Sequence, residues 1–204
     1  MKRLSAFLLT LAAIVSMSAA TLTKAHAASP ELPLFTGTTK LACEAILCLS
    51  SSSGGSVSAC SPALAYFYGI NERYLSDTLD ARLNFLRQCP TANETAGMSS
   101  LVDALAHGAG RCDAATLNRI LQTWRPNSKN EYDVMISNQR PSYCSAYAQH
   151  AYTDLADTTP RYVGKPEEWG YWVEPQNYEA EIRKYEIEVK RRREQEAQQA
   201  QSSW

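Results

Sequence analysis

Cysteine is the residue type in this chain whose number and spacing say most about its chemistry. The sequence contains six: Cys43, Cys48, Cys60, Cys89, Cys112 and Cys144. Thiols can form disulfides, bind a metal ion or exchange electrons with another disulfide. An even number of cysteines in a chain that leaves the cytoplasm is typical of a disulfide framework. We therefore expect all six to form structural disulfides.

The spacing of the cysteines favours disulfides over the other two kinds of chemistry. The sequence contains no Cys-x-x-Cys, the close pair that is typical of zinc sites and of thiol-disulfide oxidoreductases. His107 and His150 also stand apart from the cysteines and from each other. The sequence therefore predicts neither a metal site nor a cofactor.

The first 27 residues have the pattern of an export signal. Lys2 and Arg3 precede an uncharged apolar run over residues 6–17, which is shorter than the roughly 20 residues that span a bilayer. Residues 25–27, Ala-His-Ala, match the small-x-small pattern of signal peptidase. We predict cleavage after Ala27 and a mature chain without a transmembrane segment.

The pairing of the cysteines is only partly restricted by the sequence, since six cysteines allow 15 connectivities. Cys43 and Cys48 fall on one predicted helix about 140° apart, too far to bridge, so this pair is excluded. The other pairings stay open. Cys48 with Cys60 is the shortest-range candidate and would close the Ser/Gly loop at residues 50–58. One framework would be completed by Cys43–Cys89 and Cys112–Cys144.

The spacing of apolar residues predicts an all-α fold, a mainly helical, disulfide-stabilised small bundle with an irregular Pro/Trp-rich segment and a long charged C-terminal helix. Its clearest helix carries a stripe of leucines, Leu75, Leu79, Leu83 and Leu86. Asp113 is a predicted N-cap for a helix that reaches Trp124 and ends at Pro126. The predicted helices begin at residue 38 and also cover residues 61–69, 72–88, 101–106, 113–124, 141–155 and 178–198.

The chain divides into four predicted parts. These are a signal peptide (1–27), an extended leader (28–37), a disulfide-linked helical domain (38–175) and a charged C-terminal helix and tail (176–204). Within the domain, residues 160–175 are irregular and rich in proline and tryptophan. The net charge is −1, and removal of the signal peptide makes the chain more acidic. Such a chain has no overall attraction to nucleic acid or anionic lipid.

Three blocks of the sequence resemble the TrbM/KikA/MpfK family. They are residues 41–49 (LACEAILCL), 60–67 (CSPALAYF) and 75–90 (LSDTLDARLNFLRQCP), with looser similarity at 140–144, 162–166 and 170–172. Proteins of that family are exported accessory components of the mating-pair-formation, type IV secretion apparatus of conjugative plasmids. The resemblance implies a periplasmic protein of conjugal transfer, with proteins of the apparatus as its partners, and it implies no reaction. We therefore expect a non-enzymatic, protein-binding scaffold.

Glu44 offers an alternative, an enzyme that remodels peptidoglycan. Glycosidases need a carboxylic acid of raised pKa and usually a second carboxylate, which Asp77 or Asp80 could supply. The chain lacks the Glu-Ser-x-x-x-Pro and Gly-Leu-Met-Gln patterns of lytic transglycosylases, so we expect Glu44 to be solvent-facing or salt-bridged. A serine hydrolase is not favoured, because no Gly-x-Ser-x-Gly occurs and neither histidine has a motif around it.

Aromatic residues and arginine dominate the hot spots of protein interfaces. The candidates for partner contact are therefore Trp169, Tyr171, Trp172 and Arg82. Packing over the helices is the default for the three aromatics, and a solvated helix face is the default for Arg82. Residues 190–193 allow a further alternative, a module that contacts DNA or membrane. Four basic residues give only a weak electrostatic footprint, so we do not expect nucleic acid as a partner.

Overall fold

The computed structural model describes residues 35–126 and 131–202 of the chain. In these residues the chain forms seven α-helices and two small antiparallel hairpins. The predicted signal peptide and most of the predicted leader lie outside these residues. The helices are α1 (Gly37–Ser50), α2 (Ser61–Gly69), α3 (Leu75–Leu86), α4 (Ala96–Gly108), α5 (Ala114–Ile120), α6 (Ser142–Ala148) and α7 (Tyr178–Ser202). One hairpin pairs β1 (Gln122–Pro126) with β2 (Tyr132–Ile136), and the other pairs β3 (Arg161–Val163) with β4 (Tyr171–Val173).

Three disulfide bonds cross-link the helices. They join Cys43 to Cys89, Cys48 to Cys60 and Cys112 to Cys144. Among the connectivities that the sequence left open, this is one of those that contain the short-range pair Cys48–Cys60. The first bond ties α1 to the turn after α3, and the second ties the end of α1 to the start of α2. The third connects the segment before α5 with α6. Helix α1 is thus anchored to two different neighbours.

The main core lies between α1, α2, α3 and α4. Its large, fully buried side chains are Phe67, Leu86, Val102 and Leu105. Alanines fill much of the space between the helices, which allows the helix backbones to approach closely. A second, smaller cluster contains Leu117 and Trp172 and joins α5, α6 and β4. The second cluster is what holds the hairpins to the helical part.

The leucine stripe predicted for α3 is partly wrong. Leu75 is 56% exposed, whereas Thr78, Phe85 and Leu86 are the buried residues of this helix. The buried face is therefore rotated toward Phe85, which the sequence also predicts as a core residue. Thr78 can be buried because its Oγ1 accepts a hydrogen bond from the backbone N–H of Glu72 at 2.8 Å.

Two helix boundaries differ from the sequence prediction for reasons of capping and strand formation. Helix α4 begins at Ala96 rather than residue 101, because the Thr95 side chain accepts a hydrogen bond from the Met98 N–H at 3.1 Å. The predicted N-cap at Asp113 is confirmed by its 2.8 Å bond to the Thr116 N–H. Helix α5 ends at Ile120, however, and the chain continues into β1.

The prediction of a mainly helical fold is confirmed, but the two small hairpins show that the fold is not strictly all-α. β1 and β2 are rich in aromatic and β-branched residues, but five residues are too few to show a clear alternation. β3 and β4 lie in the segment that was predicted to be irregular. Helix α6 ends at Ala148, seven residues before the predicted end at 155. Within the described ranges, no helix is long and apolar enough to cross a membrane.

The length of the loop that each disulfide closes predicts its contribution to stability. The bonds close 12, 32 and 46 residues, so replacing a pair by alanine should cost from about 3 kcal/mol for Cys48–Cys60 to about 4 kcal/mol for Cys43–Cys89. Urea denaturation of the three paired Cys→Ala variants measures these losses. A smaller loss for Cys43–Cys89 than for Cys48–Cys60 would contradict this ordering.

Tyr147 should make the fold sensitive to alkaline pH. Its hydroxyl donates to the Leu49 carbonyl at 2.7 Å, and burial, with a smaller effect of Tyr68, raises the pKa of Tyr147 well above 10. Because the unfolded phenol ionises near pH 10, the stabilisation is complete below that pH and is lost as the pH rises toward the folded pKa. Unfolding free energies between pH 8 and 11 should therefore fall less steeply for Tyr147→Phe than for the wild-type chain. Equal slopes would contradict this role.

Candidate partner-binding surfaces

Helix α7 packs against the β3–β4 hairpin through several specific contacts. Gly164 has a φ of +79°, and a Cβ there would lie 2.0 Å from Cζ of Tyr185, so the ring of Tyr185 packs directly on the glycine. The Tyr185 hydroxyl accepts a hydrogen bond from the backbone N–H of Lys165 at 3.2 Å. Tyr171 donates its hydroxyl to Glu181 at 2.9 Å. These contacts hold the first half of α7 on the hairpin.

A cleft of about 260 Å³ lies between this hairpin and α7. Trp169 forms one wall in a left-handed backbone conformation (φ 61°), which is unusual for a bulky residue and costs on the order of 1–3 kcal/mol. The guanidinium of Arg192 lies 4.4 Å from the centre of the Trp169 ring. Trp169 is 39% exposed, so one of the predicted contact residues is accessible but already stacked on a cation of its own chain.

The basic cluster at residues 190–193 is partly neutralised within the chain, by two carboxylates. Arg191 and Arg192 both bond to Glu188, at 2.6–2.9 Å, and Arg193 pairs with Glu168. The bonds from Arg191, and then those from Arg192, lower the pKa of Glu188 to about 2. Three of the four basic side chains therefore have a carboxylate partner. This pairing weakens the attraction of the cluster to nucleic acid or membrane.

Trp172 and Tyr171 are mainly structural. Trp172 is 4% exposed, and its indole N–H donates to the Ser137 carbonyl at 2.9 Å. The Asn118 amide bonds both backbone groups of Trp172, accepting from its N–H at 2.7 Å and donating to its carbonyl at 2.8 Å. Tyr171 is half-buried and bonded to α7. The aromatic run thus packs over the helices, except at Trp169.

Arg82 is not on a solvated helix face, which corrects the default expectation for it. Its Nε donates to the Ile70 carbonyl at the end of α2, at 3.3 Å, and its guanidinium lies 4.9 Å from the centre of the Phe67 ring. The side chain is half-buried, and this burial lowers the pKa of Arg82. Arg82 therefore joins α3 to α2 through one hydrogen bond and the face of an aromatic ring.

Glu44 lies on α1 in an ion pair with Lys40, with 3.6 Å between the carboxylate and the ammonium. Both side chains are accessible to water, and the candidate second acids, Asp77 and Asp80, are exposed on α3. A glycosidase acid needs an apolar environment that favours its protonated form. Glu44 does not lie in an apolar environment, since its side chain is accessible to water and lies beside Lys40.

Ser100 and His150 form a pair that resembles a nucleophile and its base, since Oγ and Nε2 are 2.9 Å apart. His150 Nδ1, however, accepts a hydrogen bond from the Tyr152 N–H at 3.2 Å, so in the neutral ring the proton is on Nε2. Nε2–H then donates to Ser100, whose hydroxyl donates to the Gly97 carbonyl at 2.9 Å. A general base needs a free Nε2, so the pair has the wrong tautomer for nucleophilic catalysis.

In residues 35–126 and 131–202, no group of three or more histidine, cysteine, aspartate or glutamate side chains is placed so that it could hold a metal ion.

The surface that sequence reasoning missed is on the β1–β2 hairpin. The register pairs Trp124 with Val134 and Pro126 with Tyr132, which places these side chains on one side of the hairpin. Trp124 is 66% exposed, Tyr132 68% and Val134 39%; we call these three residues the aromatic face. The helix predicted through Trp124 placed its ring in the core. The alternation of Tyr132, Val134 and Ile136 with polar or flexible residues was the signal that could have revealed a strand.

The stacking of Trp169 on Arg192 should protect the end of α7 from proteolysis. Replacing Trp169 by alanine removes a contact worth about 0.5–1 kcal/mol, so trypsin should cleave after residues 191–193 about two to five times faster. Ile187→Ala is the matched control, because Ile187 is on α7 but 70% exposed. Equal cleavage rates for the two variants would show that the stack does not hold the helix.

Comparison with known proteins gives one match. The model of the TrbM family matches residues 34–186, a range that contains all three disulfides, both hairpins and the docked part of α7. No curated protein and no solved structure matches the chain. The match ends before the basic cluster. Since it covers most of the sequence, the chain belongs to the TrbM family.

Proposed function

We propose that the chain is an exported, non-enzymatic accessory component of a conjugative type IV secretion apparatus, and that it works by binding other proteins of the apparatus. Membership of the TrbM family makes it a protein related to conjugal transfer. The observation that supports a binding role is the aromatic face on the β1–β2 hairpin. Exposed aromatic side chains on one face of an element are frequent anchors of protein interfaces.

The aromatic face is held in place by hydrogen bonds at the base of its hairpin. Tyr162 donates its hydroxyl to the Ile136 carbonyl at 2.6 Å, and Trp172 donates its indole N–H to Ser137. The backbone N–H of Ser137 also bonds to the Leu121 carbonyl at 2.9 Å. A binding surface that is already ordered loses little conformational entropy when a partner docks. This order favours recognition of a protein surface.

The disulfides support export. All six cysteines are oxidised in pairs, and such bonds persist in compartments like the periplasm but are rare in the cytosol. The predicted signal peptide at residues 1–27 provides the route in this proposal. The mature protein then works in a compartment without ATP, where passive binding is a suitable mode of action.

The candidate reactive groups support a binding role over catalysis. Glu44 is paired with an accessible lysine, and the Ser100–His150 pair has its proton on the wrong nitrogen. Arg191, Arg192 and Arg193 have carboxylate partners within the chain, so the aromatic face is a better contact surface than the basic cluster.

Loss of the aromatic face should reduce plasmid transfer. In donor cells that lack the native gene, a Trp124→Ala, Tyr132→Ala double variant should lower the transfer frequency about tenfold or more, because hot-spot aromatics each contribute roughly 2 kcal/mol or more to binding. Tyr74→Ala is the matched control, since Tyr74 is 58% exposed on another part of the surface, and it should transfer normally. Mass spectrometry without reduction checks that both variants retain their disulfides.

Two results would contradict the proposal. Normal transfer by the double variant would remove the aromatic face as the contact surface. Purified protein that clears a murein suspension, and stops doing so as Glu44→Gln, would make the chain an enzyme.

A further inference from the structure

β1 is the outer strand of its hairpin. Among the described residues it pairs with β2, while β2 also packs against the turn Pro166–Glu168. A strand at the edge of a sheet has backbone N–H and C=O groups that no neighbouring strand satisfies. The outer edge of β1 is therefore the place where the backbone, and not only the side chains, could recognise a partner.

The register identifies the backbone groups that face outward. Gln122 pairs with Ile136, so Leu121 lies opposite Ser137. The Ser137 N–H donates to the Leu121 carbonyl at 2.9 Å, which makes these two residues a hydrogen-bonded pair. Hydrogen-bonded and non-hydrogen-bonded pairs alternate in an antiparallel hairpin, so Thr123 and Arg125 bond to β2. Gln122 and Trp124 then direct their N–H and C=O groups away from β2. The bond from Tyr162 to the Ile136 carbonyl agrees, because that carbonyl must also point out of the hairpin.

The apolar area of the aromatic face is too small to bind by itself. Aromatic side chains bury about 150–250 Å² each, so two rings that are two-thirds exposed offer roughly 200–300 Å². A stable interface buries about 800 Å² on each partner. Two copies of this chain joined through this face alone would therefore not reach the size of a stable dimer. An occupant that also bonds to the backbone fits the site better.

We propose that an extended segment of a partner protein adds to the outer edge of β1 as a third strand, with apolar side chains two residues apart that contact Trp124. This inference rests on the proposed function and names the kind of partner segment that the aromatic face accepts. Gln122 and Trp124 would supply the backbone bonds, in the mode known as β-strand addition. Pro126 has no N–H, so regular pairing ends there. A third strand would also stabilise a hairpin that has only two.

Alternate N-methylation of a bound peptide tests the proposal directly. Synthetic peptides that tile the exported proteins of the same apparatus are titrated against the purified mature chain, and each binder is remade with N-methyl groups on either of its two alternate sets of amides. Only one set faces β1 in a strand addition. Methylating that set should weaken binding at least about tenfold, because backbone hydrogen bonds to β1 are lost and the methyl groups also block approach. The other set should change affinity less than about threefold.

Protein variants connect the peptide to the site. Trp124→Ala should weaken the same peptides about tenfold, and Tyr74→Ala should not. Binding by none of the peptides, or equal loss with both methylation sets, would overturn strand addition. Self-association of the mature chain that Trp124→Ala abolishes would overturn it too, in favour of a second copy. The proposed function is judged separately by transfer frequency, which can fall in the double variant even when no peptide binds.

Discussion

Helix α1 is fixed from two sides, and the rest of the main core depends on that constraint. Cys43 and Cys48 lie on different faces of the helix and bond to Cys89 after α3 and Cys60 before α2. The buried residues of α1 include only two large aliphatic side chains, Ile46 and Leu49, so the disulfides add to a modest apolar contact. The covalent bonds restrict the unfolded chain and allow a core of small residues to be stable.

The second cluster connects the two hairpins to the helical part of the protein. Trp172 is at its centre, bonded through its indole to Ser137 after β2 and through its backbone to Asn118 on α5. The third disulfide joins Cys112 before α5 to Cys144 on α6, which brings the two short helices together around the same residue. The positions of both hairpins therefore depend on a few hydrogen bonds and one covalent link.

The sequence predicted those features of the helices that depend on residues close together in the chain. The cap at Asp113 and the end of α2 at Gly69 depend on nearby residues, and both agree with the sequence prediction. The strands depend on distant partners, because Trp124 meets Val134 only when the chain folds back on itself. The same limit explains the candidate site. Aromatic density drew attention to Trp172, which is buried, while the exposure of Trp124 depends on a hairpin of which only the short alternation in β2 gave a local sign.

The amide of Asn118 takes the place of a neighbouring strand beside β4. It binds the N–H and the carbonyl of Trp172 together, so this edge has no groups left to recruit another chain. Open strand edges can pair with other copies of a chain and lead to fibres. Asn118 on α5 therefore keeps the outer edge of β4 from pairing with another chain. A single carboxamide closes this edge without an added strand.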